Sequence, residues 1–171
     1  MQFVVSERMK NMKVGIVMGS KSDYPVVERA EKILADFGVE FETRVISAHR
    51  TPVAAMEFAS KAEENGIEVI IAAAGKAAHL GGVLAAFTPL PVIGLPVKSS
   101  TLTGLDSLLS IVQMPKGVPV ATVAIDGAEN AGILAVQMLS LKYPELRQAM
   151  KEYKVKMEKE VMAIDAEFTS R

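Results

Sequence analysis

Residues 47–52 of the chain, Ser-Ala-His-Arg-Thr-Pro, combine a group that can transfer protons with a fixed cation. The unperturbed pKa of histidine lies near neutrality, so His49 can both give and take a proton under cellular conditions. Arg50 beside it offers a permanently charged, planar fork that matches phosphate or carboxylate. A histidine at a helix start is also often only a cap or a packing residue, so both interpretations stay open at this point.

The elements that must position these residues follow an alternating pattern. Short β-rich runs alternate with longer helical patterns, which is typical of stacked βαβ units with a parallel sheet. Strands are predicted near residues 14–18, 41–46, 68–73, 91–95 and 118–124. Helices are predicted over residues 25–38, 51–66, 78–87, 105–114, 128–141 and 144–166. The sequence therefore predicts an α/β fold.

The first two helices carry clear start signals. Ser22 or Asp23 is expected to cap the first helix, with Pro25 at a first helical position. Thr51 is expected to cap the second helix, with Pro52 at its first position.

In an open parallel sheet, ligands bind outside the carboxyl ends of the strands. The loops that follow the first four predicted strands are residues 19–23, 47–52, 74–82 and 98–104. The first of them, Gly-Ser-Lys-Ser-Asp, brings hydroxyls and free backbone N–H groups to a helix start, which suits a phosphate. It lacks the spacing of a Walker loop or of Gly-x-Gly-x-x-Gly, and helix capping explains the same residues.

The third loop holds the second histidine among small residues. Gly75 and Gly81 allow backbone to approach a ligand closely, although close packing of helix on strand would need them too. For His79, packing and proton transfer both stay open. Lys76 faces either solvent or an anion, and the sequence does not choose between them.

Composition excludes several classes of function. There is no cysteine, which excludes disulfides, thiolate metal sites and cysteine nucleophiles. Two histidines and no carboxylate cluster at ligand spacing argue against a metal. The formal net charge is -1 and no basic block carries aromatics, so we expect no nucleic-acid partner. The apolar run 77–97 is broken by prolines and glycines, so we expect no membrane span.

The length and the apolar content of the chain indicate how it is organised into domains and subunits. Its 171 residues suit a single α/β catalytic domain at 13–143, between an N-terminal extension at 1–12 and an amphipathic helix and tail at 144–171. Half of the residues are hydrophobic and only 23% are charged, which predicts surface buried between subunits. The C-terminal helix is expected to take part in subunit packing, because apolar residues recur in it at three- and four-residue intervals. The start of the chain has no signal-peptide pattern, so we expect a cytoplasmic location.

The four loops, taken in order on these strands, closely resemble the PurE family of 5-(carboxyamino)imidazole ribonucleotide mutases. The resemblance runs from about Lys13 to Leu141. Its specific segments are residues 19–23 (Gly-Ser-Lys-Ser-Asp), 47–52 (Ser-Ala-His-Arg-Thr-Pro), 77–80 (Ala-Ala-His-Leu) and 104–115 (Gly-Leu-Asp-Ser-Leu-Leu-Ser-Ile-Val-Gln-Met-Pro). The resemblance implies a flavodoxin-like, three-layer α/β/α subunit with a central parallel sheet and a protruding C-terminal helix. It also implies a homo-octamer with active sites where subunits meet.

The implied reaction belongs to de novo purine biosynthesis. It moves a carboxylate from the exocyclic nitrogen of 5-(carboxyamino)imidazole ribonucleotide to a ring carbon, giving 4-carboxy-5-aminoimidazole ribonucleotide, with no metal or organic cofactor. By resemblance, His49 is the acid and base, and Ser20, Asp23 and Arg50 hold the ribose phosphate. The remaining implied substrate contacts are Ser47, Ala48, Ala74, Gly75 and Leu80. Ser22, Lys76 and His79 are secondary candidates, and the loop 98–104 is expected to cover the site.

This chain departs from the usual family pattern in the third loop. The family most often reads Gly-Gly-Ala-Ala-His-Leu-Pro-Gly, whereas Lys76 stands here at a glycine position and Gly81 at the proline position. A sister class, which carboxylates aminoimidazole ribonucleotide directly with carbon dioxide, carries a basic residue near position 76. That carboxylase is therefore the alternative enzyme, and a flavodoxin-like nucleotide-binding module is the alternative without catalysis.

Overall fold

The computed structural model describes residues 12–169, so the expected extension at 1–12 lies outside the described residues except for its last position. The strands are β1 (Lys13–Met18), β2 (Glu40–Val45), β3 (Ile67–Gly75), β4 (Val92–Val97) and β5 (Ala121–Thr122). The helices are α1 (Tyr24–Asp36), α2 (Pro52–Ser60), α3 (Leu80–Ala85), α4 (Leu105–Val112), α5 (Ala128–Leu139) and α6 (Pro144–Thr169). A 3-10 turn at Lys21–Asp23 leads into α1.

The five strands form one parallel sheet in the order β2-β1-β3-β4-β5. This is the flavodoxin-like order, so the expected fold class is confirmed. The direction in which strands are added reverses between β1 and β3, and a crevice opens at the carboxyl ends of these two strands. The loops that follow β1, β2 and β3 therefore meet at one edge.

Helices cover both faces of the sheet. On one face, α1, α5 and the start of α6 pack against alternate residues of the central strands, such as Ile16 and Ile71. On the other face, α2, α3 and α4 pack against the intervening residues, such as Val17 and Ile70. Burial on both faces explains why β3 and β4 read as continuous apolar runs.

The predicted fifth strand, 118–124, is too long. Only Ala121 and Thr122 pair with β4. Pro119 has no N–H to give to a strand ladder, and the amide of Val118 is used in a turn onto the Pro115 carbonyl. The strand is correspondingly short and lies at the sheet edge.

The first two helices begin where the sequence predicts, with Asp23 and Thr51 at their N-cap positions, but the expected capping hydrogen bonds are not formed. Neither Asp23 nor Thr51 makes a side-chain cap, although each stands at the position before its helix. The Thr51 hydroxyl instead accepts from the Ser47 amide and donates to the Ser47 carbonyl, both at 3.0 Å. The hydroxyl of Ser20 takes the capping role at the 3-10 turn, where it accepts from the Ser22 amide at 3.3 Å.

The C-terminal helix is longer than predicted and only its first part is packed. Leu146 and Met150 are buried against the domain, and Tyr153 lies against the same core. Farther along the helix the apolar side chains are exposed, including Val161 at 66% and Ile164 at 56%. Among residues 12–169, no helix combines the length and apolarity that crossing a membrane requires.

Replacing Gly94 in β4 should test the packing of α4 on the sheet. A Cβ at Gly94 would lie 2.3 Å from Cγ2 of Ile111 and 2.8 Å from Cγ1 of Val120. We expect Gly94→Ala to lower the free energy of unfolding by about 1–3 kcal/mol, measured by urea titration, because the core must shift. Gly81→Ala is the control, since its nearest contact would be an ordinary 3.5 Å. Equal losses in the two variants would contradict this packing.

Candidate active site

A cleft of about 590 Å³ opens at the carboxyl ends of the first four strands. It is lined by every residue that the sequence resemblance assigned to catalysis or substrate contact: Ser20, Asp23, Ser47, Ala48, His49, Arg50, Ala74, Gly75 and Leu80. Of the secondary candidates, Ser22 and Lys76 also line the cleft. The topology therefore brings residues from the loops after β1, β2 and β3 into one site, together with the loop after β4.

Five further residues line the cleft that were not predicted from the sequence to contact substrate: Gly19, Ala77, Lys98, Ser99 and Ser100. Gly19 and Ala77 lie inside the segments 19–23 and 77–80, so their position beside the assigned residues could have identified them as cleft residues. Residues 98–100 lie on the loop expected to cover the site, and they form part of its wall. The Ser99 hydroxyl donates to Oδ1 of Asp106 at 2.8 Å, which ties this wall to α4.

Arg50 is held in place by the loops that follow β1 and β2. Its Nη2 donates to the Gly19 carbonyl at 2.9 Å, and its Nε donates to the Ser47 hydroxyl at 3.2 Å. The Arg50 amide also donates to that hydroxyl, at 3.3 Å. These bonds fix the guanidinium plane before any ligand arrives, which suits recognition of a planar or tetrahedral anion.

His49 contacts the second histidine. Its Nε2 lies 3.0 Å from Nδ1 of His79, and the two rings are nearly perpendicular, at 86°. His79 does not line the cleft but stands immediately before α3. A hydrogen bond between two imidazole nitrogens joins one N–H to one lone pair, and it holds the two rings in this relative orientation.

The serines and the carboxylate of the first loop form a small hydrogen-bonded group. The Ser22 hydroxyl lies 2.9 Å from the Ser20 hydroxyl and 3.3 Å from Oδ1 of Asp23, and donates toward them. Burial raises the pKa of the half-buried Asp23 carboxyl, and hydrogen bonds from the Ser22 side chain and at the Ser20 backbone oppose that shift. The group presents hydroxyl and carboxylate oxygens to a ligand.

The raised pKa of Asp23 predicts a pH-dependent effect on stability. A carboxyl whose folded-state pKa is raised contributes stability below its ordinary value of 3.8, and that contribution is lost as the pH rises through the raised pKa. We therefore expect Asp23→Asn to melt at a higher temperature than the parent near pH 7. The advantage should shrink as the pH falls below the ordinary value. A difference in melting temperature that is constant over this range, measured by circular dichroism, would contradict the expectation.

Within residues 12–169 no three His, Asp or Glu side chains are grouped so as to hold a metal ion.

Comparisons with known proteins identify the family to which the chain is similar. Residues 13–160 match the family model described as AIR carboxylase. The chain is 62% identical to an N5-carboxyaminoimidazole ribonucleotide mutase of Thermotoga maritima, over 88% of each chain. It is also 53% identical to a phosphoribosylaminoimidazole carboxylase of Candida glabrata, over 99% of this chain but only 30% of that longer protein.

The fold has a close counterpart among solved structures. The crystal structure of Treponema denticola PurE matches with a TM-score of 0.82 and 28% sequence identity, over 91% of this chain and 97% of that one. The family match extends over nearly the whole described chain and includes all the cleft-lining loops. By family model, sequence identity and fold together, the chain belongs to the AIR carboxylase (PurE) family.

Proposed function

We propose that this chain is an isomerase of purine biosynthesis that interconverts 5-(carboxyamino)imidazole ribonucleotide and 4-carboxy-5-aminoimidazole ribonucleotide. The observation that carries the proposal is the cleft in which His49, the anchored Arg50 and the small-residue wall at Ala74 and Gly75 meet. The mutase relative at 62% identity supports the same reaction. The carboxylase relative corresponds to this chain over only a part of its length.

His49 carries the proton in both halves of the reaction. As an acid it protonates the carbamate nitrogen, so that the bond between nitrogen and the carboxyl carbon breaks and carbon dioxide leaves. The freed aminoimidazole is an enamine-like nucleophile, and its ring carbon attacks the same carbon dioxide to form a carbon–carbon bond. His49, now neutral, removes the proton left on that ring carbon. The protein ends in its starting protonation state, and no redox partner is consumed.

The phosphate end of the substrate lies at the loops after β1 and β2. Arg50 supplies a fixed positive charge there, and the Ser20 hydroxyl and neighbouring backbone N–H groups supply further donors. Asp23, an acceptor, holds ribose hydroxyls instead of phosphate. Ser47, Ala48 and Leu80 complete the pocket for the base.

The substrate assay separates the mutase from the carboxylase. Each purified substrate is offered in turn to the full chain, and product is measured by absorbance. We expect rapid conversion of the carbamate without added bicarbonate, with no requirement for metal or organic cofactor. Conversion only of aminoimidazole ribonucleotide with carbon dioxide, and not of the carbamate, would contradict the mutase. Binding without turnover of either substrate would favour the non-catalytic module.

The same proposal includes a homo-octamer in the cytoplasm. His49 and Arg50 are exposed in the isolated chain, whereas retention of carbon dioxide needs a closed, dry site. A neighbouring subunit would supply the cover, and the exposed apolar side chains of α6 are suited to subunit packing. A cytoplasmic location follows from a charged ribonucleotide substrate that does not cross membranes unaided.

Assembly is tested on the outer part of α6. Val161 is 66% exposed, so Val161→Glu should leave the folded subunit intact while weakening subunit contacts. Light scattering of the parent should give eight times the mass of one chain, and the variant should dissociate to smaller species. Lys61→Glu, on the exposed turn after α2, is the control. An unchanged assembly in the Val161 variant would contradict the role of α6.

A further inference from the structure

Two lysines on the cleft wall directly follow the ends of two neighbouring strands. Gly75 of β3 and Val97 of β4 are partners in the sheet register, so Lys76 and Lys98 directly follow two paired strand ends. Both line the cleft. No single sequence motif shows that the two lysines are neighbours, because they come together only through the pairing of β3 with β4.

Hydrogen bonds and a left-handed conformation fix the backbone at these two lysines, whereas neither ammonium group has an ion-pair partner among the described residues. The Lys98 amide donates to Oδ1 of Asp126 at 2.8 Å, and the Asp126 amide donates to the Pro96 carbonyl at 2.8 Å. Lys76 has a φ of 56°, a left-handed conformation that a non-glycine residue adopts only when its surroundings impose it. Both side chains are exposed, and no ion pair within residues 12–169 includes either of them.

The lysine pair is distinct from the cationic group already described. Nη2 of Arg50 donates to the carbonyl of Gly19, which directly follows β1, and β1 pairs with β3. Neighbouring strands are about 4.8 Å apart, so the end of β4, after which Lys98 stands, is two strand spacings, about 10 Å, from the end of β1. The positive groups are thus spread along the strand ends, which fits an elongated ligand that carries two anionic groups.

We propose that Lys76 and Lys98 form a second anion-binding subsite, which holds the carboxylate of the nucleotide while Arg50 holds its phosphate. This inference rests on the proposed function. In that reaction the carboxylate stands on the exocyclic nitrogen of one nucleotide and on the ring carbon of the other, and it passes between them as neutral carbon dioxide, so its anchor must reach both positions. A lysine ammonium is a point charge on a flexible stem and can do so, whereas a fixed guanidinium fork cannot.

The test compares two nucleotides that differ by the carboxylate. The dissociation constants of 4-carboxy-5-aminoimidazole ribonucleotide and of 5-aminoimidazole ribonucleotide are measured by calorimetry. For Lys76→Met and for Lys98→Met, we expect about tenfold weaker binding of the carboxylated nucleotide and less than about twofold change for the other. Lys76→Arg and Lys98→Arg should restore most of the affinity, because they keep the charge.

Lys61→Met is the matched control, since Lys61 is exposed and outside the cleft, and it should change neither constant. Equal weakening of both nucleotides in the lysine variants would assign the pair to phosphate and overturn the subsite, as would unchanged binding of both. A parent protein that bound neither nucleotide would instead overturn the proposed function and the subsite with it. Thermal melting confirms that each variant is folded.

Discussion

Replacing His49 with asparagine should lower kcat by about 10²–10⁴-fold while the dissociation constant for the nucleotide stays within a few-fold of the parent. Asparagine keeps a polar amide of similar size at the cleft wall but has no group that titrates near neutral pH. The carbamate nitrogen then lacks its acid, and the ring carbon lacks its base. Steady-state kinetics with the carbamate substrate and calorimetry with the product measure the two quantities separately.

His79→Asn is the matched comparison for that variant. His79 lies 3.0 Å from His49 but does not line the cleft, and we propose that it orients the ring of His49. We expect a smaller loss in kcat and a changed pH profile. If His79→Asn were the more damaging of the two, or if His49→Asn kept normal turnover, the assignment of the proton transfer to His49 would be wrong.

Replacing Arg50 with methionine should have the second largest effect, and chiefly on binding. Loss of charge-assisted hydrogen bonds to the phosphate should raise KM by roughly 100-fold, which corresponds to about 2.7 kcal/mol. Arg50→Lys should recover only part of this, because a lysine cannot reproduce the bonds to both the Gly19 carbonyl and the Ser47 hydroxyl. Initial rates over a range of substrate concentration give KM and kcat.

A dephosphorylated substrate shows whether Arg50 acts on the phosphate. The corresponding nucleoside should bind the parent and Arg50→Met with equal, weak affinity. Arg44→Met is the control, since Arg44 is exposed on β2 and paired with Glu42 at 3.2 Å. A loss of nucleoside affinity in Arg50→Met as large as the loss for the nucleotide would place the guanidinium elsewhere on the ligand.

The fold and most of the cleft could be predicted because their signals are local. Each cleft loop directly follows a strand, and in a parallel sheet those strand ends share one edge. The segments at 19–23 and 47–52 therefore identified a common site before any contact was known. Pro52 is the first residue of α2 as predicted, whereas Pro25 is the second residue of α1, after Tyr24.

The contacts that cross the sheet could not be predicted in this way. The contact of His49 with His79 depends on the order of β2, β1 and β3. The placement of Lys76 and Lys98 at neighbouring strand ends depends on the register between β3 and β4. A single sequence carries no direct record of either. The hydrogen bond expected from the Thr51 cap is absent for a different reason. The Thr51 hydroxyl is hydrogen-bonded instead to the backbone N–H and carbonyl of Ser47.

In the proposed mechanism, the same carbon dioxide molecule leaves the carbamate and returns to the ring within a single cleft. Carbamate substrate labelled with ¹³C in its carboxyl group is converted in buffer that contains excess unlabelled bicarbonate, and the product is analysed by mass spectrometry after one turnover. We expect the product to keep the label. A product that carries unlabelled carbon in proportion to the bicarbonate pool would show that carbon dioxide is not retained.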